Sequence, residues 1–249
     1  MLKTIKGKNI MKKLIALLCL LGIAQPAMAA SITTLDALNQ SDFKTLSEDL
    51  GAALSYKPIT PAAPLGTTGF DMGIEVTQTD MSRSSRLWSQ ITNDHSTISK
   101  LYVPKLHIAK GLPLDIDVAA FYSKIPSTNF SLYGAELRYA ILPGGVAQPA
   151  IAIRGSYTKL SGVDQLALNT KGLDISISKG FAMFTPYASI GQVWVSSTAK
   201  NITSLGAENF SQSKTFVGAN LNLGLSNLAA EWDKTGGIQS VSVKWGFRF

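Results

Sequence analysis

Cysteine is nearly absent from this chain of 249 residues: there is one, Cys19, and only two histidines accompany it. Apolar runs are short as well. The longest, Leu14 to Ala24, falls below the roughly 20 residues a bilayer-spanning helix needs. It follows five lysines and precedes Ala27-Met28-Ala29, a small-x-small cleavage pattern, so residues 1–29 read as an export leader cut before Ala30. Leu18 stands before Cys19 where a lipoprotein requires a small residue, and the lipoprotein alternative is set aside. Without the leader no cysteine remains, which excludes disulfides, thiol catalysis and thiolate metal sites. The leader also carries five of the 23 basic residues and none of the 16 acidic ones, so the formal charge of +7 belongs largely to the precursor. No basic block with interleaved aromatics survives, and nucleic acid is not an expected partner.

What is present is alternation. Phe70, Met72, Ile74 and Val76 alternate with Asp71, Gly73, Glu75 and Thr77; Tyr133, Ala135, Leu137, Tyr139 and Ile141 alternate with Gly134, Glu136, Arg138 and Ala140. Similar runs cover about 98–109, 113–122, 149–160, 165–178, 181–196, 208–225, 227–234 and 238–249. Turn-forming stretches such as "AKGL", "LPGGVAQ" and "DKTGG" separate them. Several runs exceed the usual length of soluble strands and suit a membrane barrel. The expected fold is therefore all-β: a transmembrane antiparallel β-barrel of about ten strands over residues 67–249. Strands through "AALSYKP" and "RLWSQIT" would raise the number to twelve with the same parity. Counting back from the C-terminus, the connections on its side are short and the two longest fall on the other side, the asymmetry of outer-membrane barrels.

Residues 30–66 read differently. Phe43, Leu46, Leu50, Ala53 and Leu54 share a helical face with Asp42 near its start, and "YKPITPAAPLG" ends the helix. The expectation is a short N-terminal periplasmic segment whose helix packs at the barrel's periplasmic mouth or plugs it.

Pairing the strands so that apolar faces coincide assigns charge pairs to the interior as structural locks. Asp71 faces Arg248, Glu75 faces Lys244, Lys105 faces Asp117, His107 faces Asp115 and Glu136 faces Arg154; Gly73 lies beside Gly246. No catalytic, cofactor or metal residues are assigned. His95 is flanked by Asp94 and Ser96, but three consecutive residues do not meet in triad geometry. Phosphate-loop and dinucleotide glycine patterns are absent.

The chain ends "VSVKWGFRF". Trp245, Phe247 and Phe249 alternate to a terminal phenylalanine, which resembles the assembly signal of bacterial outer-membrane proteins and implies handling by periplasmic chaperones and the barrel assembly machinery. The stretches "LSEDLGAALSYKP", "PLGTTGFDMGIEVT", "VPKLHIAKGLPLDIDVAAFYS", "YGAELRYAI", "LSGVDQL", "GLDISISKGF" and "NLNLGLSNLAAEWDKTGG" together resemble a family of uncharacterised proteobacterial outer-membrane β-barrel proteins. The resemblance implies the cell outer membrane, with its lipid and lipopolysaccharide as surroundings, and supplies no active-site residues. The functional expectation is a structural or surface-interaction barrel. A narrow channel for small solutes is the first alternative, and a barrel lipid hydrolase or acyltransferase the second.

Overall fold

Alternating residues throughout the second part of the chain form one closed sheet in the computed structural model, which describes residues 32–92, 95–125 and 128–249. The leader, its cleavage point and Asp94 lie outside these residues. The strands are β1 (Phe70–Asp80), β2 (Lys100–Leu112), β3 (Ile116–Lys124), β4 (Ser131–Leu142), β5 (Ala150–Ser161), β6 (Leu166–Ser178), β7 (Phe184–Ala199), β8 (Glu208–Leu223), β9 (Ser226–Thr235) and β10 (Ile238–Arg248). Each pairs antiparallel with its sequence neighbours, and β1 pairs with β10 to close a ten-stranded barrel. Closure removes both sheet edges, whose backbone groups would otherwise lack partners.

Two helices replace the extra strands of the twelve-stranded alternative: α1 (Gln40–Leu54) and α2 (Ser85–Ile91). The Asn39 side chain accepts from the Asp42 amide and caps α1, and Asp42 lies in its first turn, where the helix dipole favours a negative charge. "AALSYKP" is the end of α1 and a buried coil; "RLWSQI" is α2, whose Trp88 and Ile91 are buried.

The outward face is apolar, with Ile74, Leu106, Leu137 and Ile190 each more than half exposed. Aromatic side chains bound this band. Tyr122, Tyr133, Tyr157, Trp194 and Trp232 are exposed toward one end, and Tyr139, Phe181, Phe184, Trp245, Phe247 and Phe249 toward the other. The second end holds the C-terminus and the short connections 113–115, 143–149, 179–183 and 224–225; the first holds 81–99, 125–130, 162–165, 200–207 and 236–237.

Two expected registers change. Leu106 pairs with Tyr122 rather than Ile116, because the turn after β2 falls at 113–115, where Leu114 and Asp115 take positive φ. Gly111 had suggested the turn, yet it stays in β2. A Cβ there would lie 1.9 Å from the Gly66 carbonyl oxygen, so this glycine admits a crossing backbone rather than a turn. Between β4 and β5 a register shift at Ala140/Leu142 leaves Glu136 opposite Ser156 and Arg138 opposite Arg154. The closing seam pairs Asp71 with Arg248, Gly73 with Gly246 and Glu75 with Lys244.

Candidate functional site

The barrel interior is the feature with the most chemistry, and the N-terminal segment fills it. Ile32 forms a β-bridge with Thr92 on the long 81–99 connection. From there the chain enters the barrel as α1, and Leu65 donates its amide to Asp117 beside the turn after β2. The segment is inserted, and it enters from the end opposite the C-terminus instead of standing at the C-terminal end. Every residue from 49 to 62 is buried.

The half of the interior nearer the long connections is an ordinary hydrophobic core. Phe43, Leu46, Leu50 and Leu54 of α1 are fully buried among Val103, Leu132, Leu168, Val193 and Val195 of the strands. Each such side chain contributes about 1.5–3 kcal/mol on burial. Ser47 donates to Ser197 at 2.8 Å and fixes the height of α1 against β7. The arrangement was not legible in the strands, because inward leucines and valines look like any other members of an apolar run.

The rest of the interior is charged, and there the chain is extended. A buried extended backbone must find partners for its N–H and C=O groups. Proline occupies 58, 61 and 64, which removes an amide donor at every third position. Several of the remaining groups meet the barrel wall. Ile59 N donates to Glu231 at 3.1 Å, and Ala62 N to Ser178 Oγ at 3.1 Å. Arg138 donates to the Pro61 carbonyl at 2.6 Å, Thr158 to the Leu54 carbonyl at 2.9 Å, and Lys214 to the carbonyl of Tyr56. Lys57 completes the set with a 2.7 Å ion pair to Asp233, both side chains buried.

Charge is balanced here. The cations Lys57, Lys105, Arg138, Arg154, Lys214 and Lys244, with Arg248 partly buried, are equalled in number by the buried carboxylates of Asp71, Glu75, Asp117, Glu136, Asp174, Glu231 and Asp233. Such pairing is required, because an isolated buried charge is strongly destabilising.

The expected charge pairs are partly brought together. Asp71 binds Arg248 through Nε at 2.7 Å, and also takes the Lys244 ammonium at 2.7 Å. Glu75, although opposite Lys244 in register, instead has His107 at 3.7 Å and Lys105 at 3.9 Å. Glu136 meets Arg154 at 3.2 Å across a diagonal, with Asp174 on the other side of the guanidinium. Two expected pairs do not form. Asp117 binds Arg138 at 2.6 Å rather than Lys105, and Asp115 lies exposed in the turn, away from His107. Both follow from the displaced turn after β2. Phe70 and Phe249 stack at the seam with centroids 5.8 Å apart, and the Phe249 amide donates to the Phe70 carbonyl at 3.0 Å.

His95 sits on the exposed 81–99 connection with Nδ1 2.8 Å from the Ser89 carbonyl. Among the described residues no group of three or more His, Cys, Asp or Glu side chains is placed to hold a metal ion.

No family model matches the chain, and no curated protein matches it. Solved structures of outer-membrane barrels resemble it remotely. The N-terminal β-barrel domain of Pseudomonas aeruginosa OprF is 14% identical with a TM-score of 0.40, covering 74% of this chain and 99% of that one. OprG of the same organism is 10% identical with a TM-score of 0.36, covering 76% and 99%. The Escherichia coli outer membrane protease OmpT is 6% identical with a TM-score of 0.35, covering 73% and 95%. The protein is thus a ten-stranded barrel that resembles several Gram-negative outer-membrane barrels, none of them closely. Likenesses this remote carry no argument about activity.

Proposed function

We propose that the protein is an outer-membrane barrel sealed by its own N-terminal segment, with a structural or surface-directed role rather than the passage of solutes. The observation that carries this reading is the unbroken burial of residues 49–62 inside a closed barrel. An apolar outer band bounded by two aromatic belts supports the membrane setting, since water would not tolerate so continuous an exposed patch. The longer connections then face the exterior. Trp245, Phe247 and Phe249 line the opposite rim and suit recognition by the assembly machinery.

Planar-bilayer recordings test the seal. The full chain is expected to give no steady open conductance. Steady currents of porin size overturn the reading. A double variant, Ser47→Cys with Ser197→Cys, ties α1 to β7 without removing any residue. Its oxidised and reduced forms are expected to be equally silent, and currents that open only on reduction would make the seal a gate and favour transport.

A further inference from the structure

The lipid-facing side of β4–β8 carries a feature that neither the seal nor the charged lumen uses. Across these strands the register aligns Tyr133, Lys159, Asn169, Ser196 and Asn209 in one outward row. The next row toward the C-terminal end aligns Tyr157, Lys171, Trp194 and Ser211. Lys159 and Lys171 are therefore diagonal neighbours on adjacent strands, a spacing of about 7–8 Å between backbones.

Among the described residues, neither lysine has a hydrogen bond or ion pair. The contrast with the other end of the barrel is informative. There Lys179 is tied to the carbonyls of Gly145, Val146 and Gln148, and Lys110 to that of Gly69. The carboxylates around them do not neutralise the pair. Asp174, nearest in sequence to Lys171, is buried and pairs with Arg154 in the interior. Glu208 accepts from Gln40, and Asp164 stands on the exposed connection between β5 and β6. Two like charges at diagonal positions repel unless an anion lies between them.

The surface around them has the polarity profile of an amphiphile. Asn169, Lys171, Trp194, Ser196, Asn209 and Phe210 line a concavity of mixed polarity. A second, apolar concavity lies nearer the middle of the same strands, lined by Ile153, Leu173, Ile175 and Ile190. A lysine on a lipid-facing strand extends its ammonium toward the headgroup layer, and Tyr and Trp settle at that same depth. Basic pockets at this depth bind anionic headgroups.

We propose that this strip is a binding site for a phosphorylated glycolipid of the outer leaflet. The phosphate lies between Lys159 and Lys171, sugar hydroxyls meet Asn169, Ser196 and Asn209, and acyl chains run down over Ile153, Leu173 and Ile190. The inference rests on the orientation given above, in which this end of the barrel faces outward.

Envelope fractionation comes first: recovery outside the outer membrane would overturn the membrane reading itself. With the protein in the outer membrane, it is purified in mild detergent and its retained glycolipid is measured by mass spectrometry and phosphorus content per chain. Lys159→Gln with Lys171→Gln is expected to lower glycolipid affinity on the order of tenfold or more, given the contribution of each lysine near an anionic surface. Lys124→Gln with Lys234→Gln, two other outward lysines at the same end, is expected to change it little. Lys159→Arg with Lys171→Arg should retain the lipid. The heat-modifiable folded band shows that every variant is folded. Equal losses in both glutamine pairs, no loss in the first, or a wild-type chain that retains no glycolipid each overturn the site.

Discussion

At the scale of single residues, Asp71 holds the seam. Its carboxylate is fully buried and takes the Lys244 ammonium, the Arg248 guanidinium and, at 3.3 Å, the Asn227 amide. Replacing it by asparagine strands the buried ammonium of Lys244, and breaking a buried pair from one side costs about 3–5 kcal/mol. Asp71→Asn is therefore expected to lower the urea midpoint of the folded barrel in detergent, and a further Lys244→Met change to recover part of the loss by removing the stranded charge. Glu75→Gln should cost less, since its nearest cationic nitrogen, Lys105 Nζ, stands 3.9 Å away. An equal loss for Glu75→Gln would mean that Lys244 serves Glu75 instead. The seam also shows what the sequence conveys at this scale. Registering apolar faces together is enough to align β1 with β10. Which carboxylate an ammonium reaches is decided by side-chain length and by the neighbouring strand, neither of which the register specifies.

The informative element is α1. Its apolar face was visible as the spacing of Phe43, Leu46, Leu50 and Leu54, and its start as Asp42, whereas the capping Asn39 emerged only from the structure. Its place against β7 was not, because a helical face does not name the surface it covers. Gly51 tests that contact with opposite signs for the two answers. A Cβ at this position would lie 2.7 Å from Val195 Cγ2 and 2.9 Å from Cγ1, and a β-branched side chain in a packed strand has little freedom to move aside. Gly51→Ala is thus expected to destabilise the fold by about 1–3 kcal/mol through overpacking. An α1 not seated on β7 would instead gain close to 1 kcal/mol in helix propensity. Val195→Ala should relieve most of the cost when combined with Gly51→Ala. Thermal or urea unfolding of the two singles and the double distinguishes the cases.

For the whole molecule, the path of the N-terminal segment sets the topology. Ala37 is exposed beside the long-connection end, and Thr68 is exposed beside the C-terminal end. The one cysteine, Cys19, falls in the expected leader, and residues 32–249 hold none, so a single thiol introduced there reports its own side of the membrane. Ala37→Cys is expected to react with a membrane-impermeant maleimide in intact cells. Thr68→Cys should react only after the outer membrane is made permeable. The reverse pattern would turn the barrel over, and labelling of neither in intact cells would place the first turns of the segment inside.

Composition and alternation were enough to specify an all-β barrel, because the period of two and the length of each run are properties of the strands alone. The assembly of ten strands follows from the same alternation once "RLWSQI" is recognised as helical. The sequence could not say where "SYKPITPAAPL" goes, since its isolated reading is only a proline-rich break. Tertiary structure decided that. The charged wall supplies hydrogen bonds and ion pairs from Glu231, Ser178, Arg138, Lys214 and Asp233 to a segment whose prolines have already removed three of its amide donors. Of the residues that strand pairing had marked as locks, Asp117 also holds the segment by accepting from the Leu65 amide. The others come from wall positions that pairing had not singled out, because a buried polar backbone and a buried charge each require a partner and satisfy one another in the same space.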